Sequence, residues 1–295
     1  MGRRSIRAPQ TRAAWLFMTP SLIILAIFMV WPIVRNLYLS FTEYDLLSAP
    51  KWIGLANYRW MFSDADTMNA LKNSLVYAVI VTPVTVALSL AFSIALNKAI
   101  RARSFVRTAI FTPFIVSLAI VAIAFRFLLD PNYGLVTSWL ERIGLVMTQG
   151  ILADRTSALV AVMVVGVWKN AGFYMVLFLA GLQSIPGDLY EAAELDGASG
   201  WRRFTTVTWP LLSNQTMLVC IQALSASFQV FDQIKVMTDG GPAKGTETLV
   251  VLINRLGMNN LEFGAGAAIS DLLLVIVLVL SGIQYLHFSK RQVTY

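Results

Sequence analysis

The sequence predicts an all-α membrane protein of about six transmembrane helices, and three observations carry that reading. Hydrophobic residues make up 57% of the 295 and charged residues 13%, where a soluble domain carries about 25% charge; mean hydropathy is +0.67. The apolar residues gather into six stretches, each able to cross a hydrocarbon core of about 30 Å at about 1.5 Å per residue. Positive charge is concentrated in alternate connections between them.

Residues 1–14 form a basic segment with Arg3, Arg4, Arg7 and Arg12. The first span covers 15–39. It is longer than the apolar region of a signal peptide and no small-residue cleavage site follows it, so it reads as a retained helix. An extracytoplasmic loop is expected over 40–72. A five-helix core follows over 73–288, with spans at 73–97, 105–129, 157–183, 211–237 and 265–288 and a tail at 289–295. Pro20, Pro32, Pro83 and Pro113 fall inside spans, where a membrane helix tolerates proline if neighbours satisfy the freed carbonyl.

The face made of both termini and the connections after spans two and four holds 12 basic and 4 acidic residues. Among the basic ones are Lys98, Arg101, Arg103, Arg107, Arg202, Arg203, Lys290 and Arg291. The loops 40–72, 130–156 and 238–264 hold 7 basic and 10 acidic residues. The positive-inside rule therefore places the first face, with both termini, in the cytoplasm. The same asymmetry accounts for the net charge of +7 without nucleic acid as a partner. Cys220 and His287 are the single cysteine and histidine and fall in different apolar stretches, which argues against a disulfide within the chain, a zinc site or a Cys–His nucleophile pair.

The connection 184–210 is the most informative. Pro186-Gly187 ends the fourth span. Asp188 stands three residues before Glu191, a capping-box-like spacing, and Gly197 supplies a stop. Leu189, Ala192, Ala193 and Leu195 would share a short apolar face. Such a helix either lies on the membrane interface or fills a groove on a partner. Four acids between Asp188 and Asp196 disfavour an anionic leaflet.

The run Glu191-Ala192-Ala193-x-x-x-Gly197, then Arg202-Arg203-Phe204 and Trp209-Pro210-Leu211-Leu212, resembles the EAA loop of ABC importer permeases. Trp209 departs from the aliphatic residue usual before that proline. The resemblance implies a type I importer permease fold in the bacterial inner membrane. It also implies a coupling helix that docks on an ATP-hydrolysing subunit through Glu191, Ala192, Ala193, Leu195, Asp196, Gly197, Arg202 and Arg203. Trp52-Ile53-Gly54-Leu55-Ala56-Asn57-Tyr58, Val167-Trp168-Lys169, Met237-Thr238-Asp239-Gly240-Gly241-Pro242 and Thr246-x-Thr248-Leu249 resemble the carbohydrate-uptake branch, which carries oligosaccharides and glycerol phosphate. The implied partners are a second permease, two ATP-binding subunits that hold ATP and Mg, and an extracytoplasmic solute-binding protein. This chain would carry no cofactor and no catalytic residue. Consistently, it has no G-x-x-x-x-G-K-[ST] phosphate loop; Gly240–Gly245 lacks that spacing and reads as an outward turn.

Intramembrane polar residues are functional candidates because lipid makes them costly. Trp168, Lys169 and Asn170 lie in span four with Phe173. Gln222, Ser225, Gln229 and Asp232 follow one another at steps of three, four and three, which places them on one face of a continuous span five, near Ser227. They line a pathway for a small polar solute, or they act as glue between helices, including Lys–Asp pairing. The resemblance favours Lys169, Asn170, Phe173, Ser227 and Gln229 as solute contacts, although Gly166 and Val230 depart from polar family positions. The Lys169 charge would suit a phosphate oxygen, as in glycerol 3-phosphate or a glycerophosphodiester. The competing reading is an ion-driven secondary transporter using Lys169, Asp232 and Asp271, but the sequence shows no inverted repeat.

Overall fold

The computed structural model describes residues 7–98, 102–144 and 150–289. Arg3, Arg4, Arg101, Lys290 and Arg291, which helped to set the expected orientation, lie outside them, as does the tail from 290.

Helix α1 (Arg7–Leu25), a π-helical turn (Ala26–Val30) and α2 (Trp31–Ser40) form the first span, apolar from Ala14 to Ser40. The loop that follows is structured. Strands β1 (Thr42–Glu43) and β2 (Lys51–Trp52) pair antiparallel with Thr42 opposite Trp52, and α3 (Ala56–Ser63) packs beneath the last span. Span two is α4 (Ala65–Asn97), whose N-terminus Asp64 caps by accepting from Thr67 N at 2.8 Å. Span four is α8 (Arg155–Gln183) and span six is α15 (Phe263–Ser289).

Spans three and five are not the continuous helices expected. Span three divides into α5 (Arg103–Ile115) and α6 (Leu118–Leu128), bent by 97° at Val116 and Ser117, both of which take extended backbone. Helix α7 (Leu135–Arg142) follows it. In span five, α12 (Ser213–Phe228) stops before Gln229, and α13 (Asp232–Met237) starts afresh after Phe231. The expected single face through Gln222, Ser225, Gln229 and Asp232 is therefore broken. A three-four periodicity reports only what a helix would do if it continued, and here the backbone leaves the helix between the second and third of those residues.

Between spans four and five run α9 (Gly187–Leu195), α10 (Gly200–Arg203), a π-helical turn (Phe204–Thr208) and α11 (Trp209–Leu211). Helix α14 (Leu249–Asn254) and a third π-helical turn (Arg255–Asn259) precede α15. The first two π turns each end immediately before a Trp-Pro pair, Trp31-Pro32 and Trp209-Pro210. In both, the tryptophan amide bonds five residues back, to Ala26 O and to Phe204 O. A proline ring clashes with the carbonyl four residues before it in an ordinary α-helix, and the wider π turn relieves that clash without breaking the helix.

Helices α4 and α8 form the central pair. Asn69 of α4 meets Arg155 at the start of α8, and Leu90 and Ile94 of α4 pack near Leu182 at its far end, so the two run parallel. Tyr77, Val81, Val162, Val165, Ile234 and Met237 form the principal core. Glycines in α8 let neighbours close in: a Cβ at Gly166 would strike Tyr77 Oη, and one at Gly172 would strike Ile110 O of α5.

Candidate transport pathway and coupling helix

Helix α9 is built to stand free. Pro186, with φ −58° and ψ 135°, leads into it and no side chain caps its N-terminus, so the capping box read from Asp188 and Glu191 does not form. The helix begins two residues earlier than that motif requires, and Asp188 instead lies in the first turn, where its charge complements the helix dipole. The C-terminus closes as a Schellman motif. Gly197, at φ +71°, donates to Glu194 O at 3.0 Å, and Ala198 donates to Ala193 O at 2.9 Å. Arg203 Nη1 meets Glu194 Oε2 at 3.1 Å, and the Tyr190 and Thr208 hydroxyls lie 3.1 Å apart, so α9 is tied to its own loop. No α9 residue is buried. Glu191, Ala192 and Asp196 are exposed and Leu195 is 90% exposed, as is Trp201 nearby at 74%; Arg202 is also exposed.

The second site is a cavity of about 200 Å³ near the middle of α4 and α8. Its walls are Tyr77, Val81 and Thr85 of α4, Leu118 of α6, Asn170 and Tyr174 of α8, Ala223, Ala226 and Ser227 of α12, and the stretch from Gln229 to Gln233. Several polar atoms there are already engaged. Gln233 Nε2 donates to Tyr77 Oη at 2.6 Å and to Val162 O at 3.2 Å. Thr82 donates to Ser227 Oγ at 3.0 Å, Ser227 to Ala223 O at 2.8 Å, and Asn170 Nδ2 to Gly166 O at 2.8 Å. Gln229 and Asp232 are exposed, and the buried Thr85 Oγ1 has no hydrogen-bond partner among the described residues. The break after Phe228 matters here because it turns Gln229, Val230 and Asp232 into the cavity wall. Tyr77 and Tyr174 were missed in the sequence, being aromatic residues in apolar runs. Gln233 is one of the polar residues of span five in the sequence but was not chosen as a site residue, and it lines the cavity where that span is interrupted.

Four of the expected pathway residues meet at this cavity: Asn170, Ser227, Gln229 and Asp232. The others lie elsewhere. Trp168 is 46% exposed, packs edge-to-face on Phe125 with centroids 5.3 Å apart, and lines a separate apolar groove between α4, α5 and α8. Phe173 stacks on Phe114 at 4.4 Å. Gln222 is exposed on α12 and Ser225 is half-buried near its end, neither of them at the cavity. Lys169 is buried, and its Nζ donates to Pro113 O at 3.1 Å, Phe114 O at 3.1 Å and Val116 O at 2.7 Å. An ammonium has three N–H groups, so none remains here for a phosphate.

At the far end of α4 and α8 from α9, the glycine-rich turn is pinned from several sides. Lys244 pairs with Asp66, and Asn73 Nδ2 donates to Lys244 O at 3.1 Å and to Glu247 O at 2.9 Å. Arg255 holds the buried Glu247 at 2.7 Å and Asp66 at 3.1 Å. Burial works against the Arg255 charge, but Glu247 and Asp66 outweigh it and hold its pKa above the ordinary value.

Comparison with known proteins agrees with this geometry. Residues 83–292 match the family described as the binding-protein-dependent transport system inner membrane component. The chain is 34% identical over 290 residues to the sn-glycerol-3-phosphate transport system permease protein UgpA of Agrobacterium fabrum, covering 98% of each chain. It is 34% identical over 279 residues to the probable ABC transporter permease protein YurN of Bacillus subtilis, covering 93% of this chain and 95% of that one. A chain of the bacterial alginate ABC transporter, crystallised with an alginate pentasaccharide-bound periplasmic protein, superposes with a TM-score of 0.84 at 23% identity, covering 98% of each chain, and so shares the fold. With a family match over most of its length and permease relatives along nearly all of it, the chain belongs to the inner-membrane components of binding-protein-dependent ABC transport systems.

Proposed function

We propose that this chain is the translocation subunit of an ATP-driven importer of a sugar or sugar-like solute, a class that includes glycerol 3-phosphate and glycerophosphodiesters. It pairs with a second permease, and two ATP-binding subunits dock on the cytoplasmic side, where both termini and α9 lie. An extracytoplasmic binding protein delivers solute at the opposite end, beside the pinned turn. The chain itself performs no chemistry and holds no cofactor. Closure of the ATPases draws the α9 helices together and switches the cavity between outward and inward access, a rigid-body change.

One observation carries the reading: α9 presents Glu191, Ala192 and Leu195 on an exposed helix, closed at its C-terminus and tied to the following loop, at one end of the central helix pair. A helix so exposed yet so well fixed suits a groove on a partner. Four of the polar residues read from the sequence gather at the cavity between its ends, where a solute would pass.

Replacing exposed residues of α9 tests this without disturbing the core. Ala192→Asp and Leu195→Asp are expected to leave membrane insertion and the amount of chain unchanged. Recovery of the ATP-binding subunits on a tag carried by this chain should fall about tenfold or more, and so should uptake of radiolabelled sn-glycerol 3-phosphate or of a neutral disaccharide, whichever the parent imports. Unchanged recovery and uptake in both variants would show that α9 couples to nothing.

A further inference from the structure

Ending a helix within a bilayer leaves its last carbonyls without partners, and lipid offers none. That problem arises at the 97° elbow between α5 and α6. Three carbonyls at the elbow, those of Pro113, Phe114 and Val116, all receive hydrogen bonds from the one Lys169 ammonium, at 3.1, 3.1 and 2.7 Å. The cation also stands at the negative end of α5 and 5.7 Å from the Phe114 ring centroid. Gly172, three residues on, lets α8 approach Ile110 O closely enough for the lysine to reach, and Phe173 stacks on Phe114 to hold the same contact.

The elbow bears on the cavity. Leu118, the first residue of α6, forms part of its wall, and Asn170, the neighbour of Lys169, forms another part. We infer that Lys169 is a positioning residue of the pathway. It caps the broken end of α5, fixes the elbow, and so sets where Leu118 stands in the cavity wall, without itself touching solute. The inference rests on the reading of this cavity as the pathway. It also explains how a lysine is kept deep in an apolar span: the carbonyls that would otherwise be orphaned supply its partners. Without the ammonium those carbonyls regain partners only if the helices rearrange, and Leu118 moves with α6.

Cysteine accessibility in the assembled transporter tests this. Cys220 is the single native cysteine, so Cys220→Ala provides the parent. Leu118→Cys and Ala226→Cys, which line the cavity from different helices, are each labelled with methanethiosulfonate ethylammonium in proteoliposomes. The expected result is that adding Lys169→Met changes the Leu118→Cys rate about fivefold or more while the Ala226→Cys rate stays within about twofold, and that Lys169→Arg, which keeps a cation and its donors, restores the parent rate. An unchanged Leu118→Cys rate overturns the inference and leaves the pathway reading intact. Equal changes at both positions also overturn it, because they report general loosening. Absence of labelling at both positions in the parent removes the pathway itself, and the inference with it.

Discussion

Asp271 shows how a buried charge in this protein finds its partners. It lies in α15 and is 9% exposed, yet it forms no ion pair among the described residues. Asn36 Nδ2 of α2 donates to one carboxylate oxygen at 2.8 Å and Tyr58 Oη of α3 to the other at 3.0 Å, and the Tyr58 hydroxyl lies 2.7 Å from Ser40 Oγ. The carboxylate thus latches the end of the first span and helix α3 of the loop that follows it to the last span. Asp271→Ala strands two donors and is expected to cost about 1–3 kcal/mol, read as a lower melting temperature of the purified chain, with Asp271→Asn costing less. A melting temperature unmoved by Asp271→Ala would remove the latch. The Lys–Asp pairing left open by the sequence does not occur for either group among the described residues: Lys169 meets carbonyls and Asp271 meets neutral donors. Sequence exposes a charge inside a span, but its partner is a backbone atom from another helix, which no side-chain pattern encodes. Outside the spans, Asp154 caps α8 by accepting from Thr156 N and Ser157 N, both at 3.0 Å. The Ser157 amide, chiefly, holds its carboxyl below the usual carboxylate range. A depressed folded-state pKa stabilises the fold above the unfolded value of about 4, and that contribution is lost as pH falls through the lower folded value. The melting temperature of Asp154→Asn should accordingly fall less steeply than that of the parent between pH 5 and pH 3, in the window set by the same carboxylate value of about 4.

At the scale of elements, the presence of five to six long apolar helices was legible because lipid demands such helices and little else satisfies it. Spans one, two, four and six appear within a few residues of expectation, apart from the earlier start of α4. The breaks in spans three and five were not legible. Ser117 and Gln229 are polar, but so are Ser89 and Asn170 inside unbroken spans, so polarity does not mark the breaks; Lys169 meets the backbone at one break, and α13 packs against α6 beyond the other. Helix α9 was legible because proline and glycine bound it in the sequence, although its N-terminal cap was misread. Glycine in a helix tests how much of this is packing. Among the described residues nothing lies within 4 Å of a Cβ added at Gly282 in α15, so Gly282→Ala should be neutral or stabilising by up to about 1 kcal/mol. At Gly172 the same change meets the Ile110 carbonyl and should cost about 1–3 kcal/mol by forcing α5 away from α8. Opposite signs for one chemical change, measured as melting temperatures, would attribute the difference to helix approach; equal signs would remove Gly172 as the reason α5 sits where it does.

The whole molecule is organised along α4 and α8. Thirty-three residues at about 1.5 Å each make α4 about 50 Å long, enough to carry its ends beyond both faces of a hydrocarbon core of about 30 Å. One end of this pair leads to α9, the other to the Asp66–Lys244–Arg255–Glu247 network, and the cavity lies between. If the pair is the rigid link between the two ends, damage at the two ends should look different. Arg255→Ala leaves Glu247, 3% exposed, without its cation, at a cost of about 3 kcal/mol, and frees the turn from Gly240 to Glu247 on the side where a delivered solute would arrive. In the proposed assembly that variant is expected to retain the ATP-binding subunits on purification but to lose most of any rise in ATP hydrolysis on adding a loaded binding protein. The α9 variants should lose the ATP-binding subunits themselves. The discriminating measurement is ATP hydrolysis per co-purified ATP-binding subunit, with and without binding protein: Arg255→Ala should keep the basal rate and lose the stimulation. If it instead sheds the ATP-binding subunits, the Asp66–Lys244–Arg255–Glu247 network supports the whole bundle, and the two ends of α4 and α8 do not act separately.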